Sequence, residues 1–248
     1  MNLIRKGDQM WIRRTLIIAA PLFLGMRMSA ADAISSNQAD EILAELRKIR
    51  AILESNGPNR DGSAQPTRVA IEVNDAPYLG SDRAPVVIVE FMDYQCPYCK
   101  QFQAQTFRDV KREYIDTGKV RFYVMDFPLD IHAQALLAAQ AGRCAAEQGK
   151  FWPMHDRLQS ENEALNGDKI AALAELSGLD LRNFQNCLQT EKYKDAIQRG
   201  ISEAANKGIR ATPTFVIAKG TETGIEGDVV VGAVPFGVFQ KKIEALLQ

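Results

Sequence analysis

Val86-Val87-Ile88-Val89-Glu90-Phe91-Met92-Asp93-Tyr94-Gln95-Cys96-Pro97-Tyr98-Cys99-Lys100 joins an apolar run to two thiols and the start of an amphipathic stretch. The first six residues, largely β-branched, predict a buried strand. From Cys99 onward, Phe102, Phe107, Val110 and Tyr114 recur at three-, five-, three- and four-residue intervals, which predicts a helix to about Tyr114. Cys96 then falls at a helix N-terminus. Pro97 suits the first helical position, where its missing N–H costs nothing. The unpaired N–H groups of that turn carry roughly half a positive charge, favouring a thiolate over a thiol. Cys96 is thus the expected nucleophile and Cys99 the resolving thiol.

Two blander chemistries compete with this one. Zinc needs four ligands, and none of His132, His155, Cys144 and Cys187 makes a second close pair, so no metal is expected. A static disulfide across two residues closes almost no loop and restrains the unfolded chain little. Dithiol redox chemistry remains, and it needs no bound cofactor.

The 248 residues are 46% hydrophobic and 25% charged, ordinary globular composition for one good-sized domain with appendages. Residues 1–31 carry five basic groups and one acidic group, so the remainder holds 25 basic and 30 acidic residues, a net of −5. A mildly acidic chain without a basic stripe argues against nucleic acid as partner.

Arg13-Arg14 precede an apolar run, Thr15 to Met26, too short to span a bilayer, and small residues follow at Ser29-Ala30-Ala31-Asp32-Ala33. This order predicts a signal peptide over 1–31, cleaved after about Ala31 or Ala33, and a periplasmic or secreted product. An uncleaved anchor is the competing reading, kept open by Arg27. Next, Ala39, Ile42, Leu46, Ile49 and Leu53 follow the 3, 4, 3, 4 spacing of a heptad seam, with Glu45 and Arg50 at g and e. So short a helix is marginal alone. Residues 38–55 are therefore expected to form an amphipathic helix that associates with further copies of the chain, or else docks on its own domain or stands as a loosely ordered stalk. Residues 56–67, rich in Gly, Pro, Ser and Asn, read as a flexible linker.

Within 68–248 the pattern is α/β. Val69 to Val73 alternates as a first strand, Val86 to Phe91 is the second and Val120 to Met125 the third, with turn residues at 74–77 and 80–82. Strand, helix, strand implies a right-handed parallel crossover, and ligands in such sheets gather at the strands' carboxyl ends. From about 130 to 209 only helices are expected, at Ala133–Ala146, Phe151–Leu158, Asp168–Leu176 and one or two over 181–206. Strands return at Thr214–Ala218 and Val229–Val231 before a closing helix, Pro235–Leu247.

The strand ending at Phe91, the Cys96-Pro97-Tyr98-Cys99 turn, the helical insertion and Ala211-Thr212-Pro213-Thr214-Phe215 together resemble the DsbA-like family of bacterial thiol-disulfide oxidoreductases. Its members are thioredoxin folds carrying an inserted helical domain. The resemblance covers roughly residues 68 to 248. In its stalk helix, Pro-Tyr dipeptide and Thr-Pro motif, the chain is more similar to oligomeric isomerase-type members, DsbC-like or ScsC-like. The resemblance implies that Pro213 is a cis-proline facing the cysteines, although Thr212-Pro213 read alone would be an ordinary trans bond. It further implies that the Thr212 backbone pairs with an extended substrate. Glu90, six residues before Cys96, matches the family's acidic residue beneath the active site and would accept a proton from Cys99. Read by itself, Glu90 is either a penalised buried carboxylate or a strand-edge glutamate facing solvent.

Cys144 and Cys187 lie on separate predicted helices of the insertion. They are buried free thiols or a second, structural disulfide, and export favours pairing. Asp93 and Lys100 are expected in solvent, His132 at a helix start, and Trp152, Met154 and His155 in the packing of the insertion. The expected function is oxidation, reduction or isomerisation of disulfides in unfolded or misoxidised exported proteins, recharged by a membrane redox partner. The competing functions are a Cu(I)-binding protein or an envelope chaperone using the same cysteines and groove.

Overall fold

The computed structural model describes residues 36–55, 67–220 and 224–248. The expected signal peptide and residues 56–66 of the expected linker lie outside these. The chain divides into two compact units, 1–56 and 57–248. In the first, α1 (Ser36–Ser55) is one helix of 20 residues. Ile42, Leu43 and Leu46 on it are exposed at 49, 48 and 54%, so these three side chains stay largely uncovered among the described residues. Among the described residues no helix is long and apolar enough to cross a membrane.

The second unit is built on a six-stranded sheet in the order β1-β6-β5-β3-β4-β2. β1 is Arg68–Ile71, β2 Tyr78–Leu79, β3 Val86–Met92, β4 Val120–Asp126, β5 Thr214–Lys219 and β6 Ile225–Val231. Every residue of β3 is buried, as expected of an apolar run interrupted only by Glu90. It pairs in parallel with β4, Val86 beside Val120 through Met92 beside Asp126, and antiparallel with β5. β2 is absent from the sequence-based expectation, which places turn residues at 74–77 and 80–82 on either side of it. It has only two residues, and its strand character comes from pairing with Tyr123 and Phe122 of β4.

Strand period divides β3 between two cores. Val87, Val89 and Phe91 pack with Val69, Ile71, Val216 and Ala204 on one face. Val86, Ile88 and Met92 pack on the other with Cys99, Phe102, Phe122, Phe215 and Phe239. Phe102 is fully buried, with ring centroids 4.5 Å from Phe215 and 5.4 Å from Phe239.

The helical run after the cysteines is α2 (Pro97–Phe102), a π-helical turn Gln103–Phe107, α3 (Arg108–Val110) and a second π-helical turn Lys111–Ile115. Its five-residue intervals are the reason. Phe102 and Phe107, and likewise Val110 and Ile115, are all buried, and widened turns return residues five apart to one face.

The insertion holds α4 (Ala135–Glu147), α5 (Phe151–Ser160), α6 (Gly167–Leu176), α7 (Leu181–Gln189) and α8 (Lys194–Asn206); α9 (Phe236–Leu247) closes the chain. Asn166 and Asp180 cap α6 and α7 by accepting the N–H groups of Lys169 and Asn183. Cys144 of α4 and Cys187 of α7 form a disulfide with Cα atoms 5.9 Å apart, both sulfur-bearing residues buried. It spans 43 residues of sequence, a loop for which removal of a cross-link costs about 2–4 kcal/mol through the unfolded chain. Cys144→Ala with Cys187→Ala should therefore lower the unfolding free energy read from urea titration by that amount, and the midpoint with it, while Cys96 remains reactive. An unchanged midpoint would remove the disulfide from the fold's stabilising contacts.

Candidate active site

β3 ends at Met92 and the chain turns so that the Cys96 N–H donates to the Asp93 carbonyl at 3.1 Å. Cys96 is the N-cap of α2 in extended conformation, with Pro97 opening the helix as expected. Cys99 is one turn further in, wholly buried, and Cys96 is only 3% exposed. Both are free thiols.

The two sulfurs are electrostatically unequal. The Cys99 thiol donates to Cys96, and against the opposing cost of burial this hydrogen bond and the N–H groups of Cys99 and Tyr98 bring Cys96 down to a pKa of about 5. Burial is the main reason Cys99 is pushed far up, helped by its bond to Cys96 and by the charge of Glu90. One sulfur is thus a ready nucleophile at neutral pH, and its neighbour holds its proton.

Glu90 lies on the sheet face shared with Ile88 and Met92, hence under the helix carrying Cys99. It is 1% exposed, so it does not face solvent at a strand edge. Its Oε1 has no hydrogen-bond partner among the described residues. Burial first and the charge of Cys96 second raise its pKa to about 8.

The Thr212-Pro213 bond is cis. The Cys96 thiol donates to the Thr212 carbonyl at 3.3 Å, which sets this loop against the cysteine pair. Gly232 donates to the Pro213 carbonyl at 2.8 Å, tying the loop to the end of β6.

Two expectations are corrected here. Asp93 is not solvated: it is 1% exposed, and its carboxylate accepts the N–H groups of Gln95 at 2.7 Å and Leu129 at 2.8 Å and meets His132 Nδ1 at 2.7 Å. Its own N–H points at Cys99 Sγ, 3.5 Å away. Gln95 adds a second tie, its Oε1 accepting the Gln134 N–H at 2.6 Å. Lys100 is half-buried, its ammonium donating to the Glu161 carbonyl, and burial lowers its pKa. Sequence separation hid Leu129, His132 and Glu161, which lie 36 to 61 residues away from Asp93 and Lys100.

His132 sits in the turn ahead of α4 and is partly buried. Met154 and His155 are buried in the insertion. His155 Nδ1 lies 3.2 Å from the Tyr94 hydroxyl, joining α5 to the active-site loop, and burial lowers its pKa to about 3. Trp152 donates its Nε1–H to the Tyr78 carbonyl.

A family model described as thioredoxin matches residues 72–224. Among curated relatives, the Na(+)/H(+) antiporter NhaA 3 of Salinispora tropica is 32% identical over 176 residues, 71% of this chain but 26% of that protein. The probable disulfide bond formation protein D of Bacillus cereus is 29% identical over 148 residues, 56% of this chain and 68% of that one. The chain thus spans about a quarter of the antiporter's length and about two thirds of the Bacillus protein's. The crystal structure of Wolbachia pipientis alpha-DsbA1 superposes with a TM-score of 0.63 at 28% identity, covering 71% of this chain and 92% of that one. Coverage so broad takes in the inserted helices as well as the sheet, and the chain belongs to the thioredoxin family, on its DsbA-like side.

Proposed function

We propose that this chain is an exported thiol-disulfide oxidoreductase acting on cysteines of other polypeptides. The carrying observation is the opposed ionisation of its two sulfurs, Cys96 held down to about 5 and Cys99 pushed up. In the reducing direction the Cys96 thiolate attacks a substrate disulfide, and Cys99, giving up its proton, resolves the mixed disulfide. In the oxidising direction a substrate thiolate attacks Cys96 of the enzyme disulfide and Cys99 departs. Glu90, at about 8, holds a proton for much of the time at neutral pH, so it is placed to protonate the departing Cys99. The reverse transfer activates Cys99 for resolution.

The surroundings support a polypeptide substrate. Tyr98, Ile131 and Val231 are exposed at 60, 82 and 41%. Tyr98 lies between the cysteines, Ile131 precedes His132, and Val231 pairs with Thr214 beside Pro213. An apolar rim of this kind suits unfolded chain, which can add as an extended strand along the Thr212 backbone. Export, expected from residues 1–31, would supply clients with persistent disulfides and calls for a membrane redox partner to reset the pair.

The stalk supports assembly of several copies. Leu46 and Leu53 at a with Ile42 and Ile49 at d is a combination that favours more than two strands. Several active sites around one client suit isomerisation or reduction better than oxidation alone. The chain from residue 32 should run as an oligomer in light scattering and rescue scrambled substrate faster than it does without residues 32–67. Equal mass and equal rescue by the two proteins would leave a simple monomeric oxidase.

Glu90 gives a pH signature. Its folded pKa lies above the ordinary carboxylate value of 4.5, so its contribution to stability is full below 4.5 and is lost as pH climbs to about 8. Glu90→Gln should match the wild type at low pH and become progressively more stable than it between these limits, measured by urea unfolding of both reduced proteins. A difference independent of pH would mean that Glu90 does not titrate as a buried acid.

A further inference from the structure

The active-site loop carries a carboxylate–imidazole pair that the exchange steps above leave unused. Both oxygens of Asp93 already accept main-chain N–H groups, from Gln95 on Oδ1 and from Leu129 on Oδ2. The hydrogen shared with His132 therefore sits on Nδ1, and the uncharged form of the ring carries its lone pair on Nε2. The pair runs from inside to outside: the Asp93 side chain is 0% exposed and that of His132 19%.

This imidazole is tied to the cysteine turn through Asp93. Asp93 directs its N–H at Cys99 Sγ, 3.5 Å away, and its carbonyl accepts the Cys96 N–H at 3.1 Å, so His132 is one residue removed from both cysteines. Ile131, beside it in sequence, is 82% exposed on the rim. The chain's only other histidine, His155, is buried against Tyr94 and unable to meet a substrate.

The exchange reaction leaves a base to be found. A low pKa at Cys96 activates the enzyme's own sulfur, but in the oxidising direction the attacking sulfur belongs to the substrate. An ordinary thiol of pKa about 8.5 is roughly 3% ionised at pH 7, so a base can add at most about thirtyfold there. Glu90 is buried beneath Cys99 and serves the sulfur that leaves.

We propose that His132, oriented by Asp93, is the general base that ionises the incoming substrate thiol, an inference that rests on the oxidoreductase function above. The substrate S–H proton passes to His132 Nε2, and the resulting thiolate attacks Cys96 Sγ. The Cys96–Cys99 bond breaks with its electron pair going to Cys99 Sγ, which takes a proton from Glu90 or from the imidazolium. The substrate sulfur is oxidised to a mixed disulfide, and Cys99 is reduced. Asp93 is a positioning residue in this scheme, holding the ring in the tautomer that leaves Nε2 free.

The test is the rate at which the oxidised protein reacts with two thiols at pH 7, a cysteine-containing peptide and thionitrobenzoate, whose aromatic thiol is already ionised. His132→Gln retains a donor for Asp93 but no base. It should slow the peptide about tenfold, within the thirtyfold ceiling, and change thionitrobenzoate by less than about twofold. Asp93→Asn should give the same selective loss, because an amide donating to Nδ1 moves the ring hydrogen to Nε2. Should that variant not fold, the His132→Gln comparison stands alone. Equal slowing of both thiols, or of neither, overturns the assignment. A wild-type protein that reacts with neither thiol overturns the oxidoreductase function itself.

Discussion

A thiolate with 3% of its residue exposed persists only if hydrogen-bond donors replace the water it has lost. At Cys96 the donors are the Cys99 thiol and the first N–H groups of α2, and the Thr212 carbonyl lies 3.3 Å from the sulfur. These neighbours come from different parts of the fold. The helix N-terminus exists because β3 stops at Met92 and Pro97 opens the next element, and the Thr212 loop is brought across by β5 pairing beside β3. The sheet order is therefore a condition of the ionisation, not merely a scaffold beneath it.

The proposed function uses this arrangement to separate proton and electron traffic. In it Cys96 meets the substrate and Glu90 exchanges a proton with Cys99, whose pKa is pushed far up and which lies in the interior; Glu90 itself stands on a strand otherwise made of apolar side chains. A buried carboxyl without a partner on Oε1 opposes stability. Here the cost is borne by a strand with neighbours on both sides, Glu90 standing between Val124 and Phe215. A less firmly held position would open to water, and the elevated pKa would be lost.

What the sequence discloses depends on how local each interaction is. The role of Cys96 is legible because a helix start, a proline and a second thiol lie within four consecutive residues. Glu90 stands out as a charge in an apolar run, although its place under Cys99 needs the register of β3. The π-helical turns leave a trace in the five-residue gaps between Phe102 and Phe107, and the trace is interpretable once both rings are known to be buried. Asp93 leaves none. An aspartate in a turn reads as solvated, and the N–H of Leu129 and the ring of His132 reach it only after the insertion folds back on the loop. β2 is likewise invisible, since two residues carry no period and pairing with β4 alone makes them a strand.

Ionisation of one sulfur, Cys96, is the condition for all of this chemistry. Ultraviolet absorbance of the thiolate, followed through a pH titration of the reduced protein and of its Cys96→Ser variant, measures it directly. The difference between the two should show one group half-ionised near pH 5, with no Cys99 signal before the protein unfolds. A Cys96 that ionises only in the range of a free thiol, at about 8.5, would contradict the account.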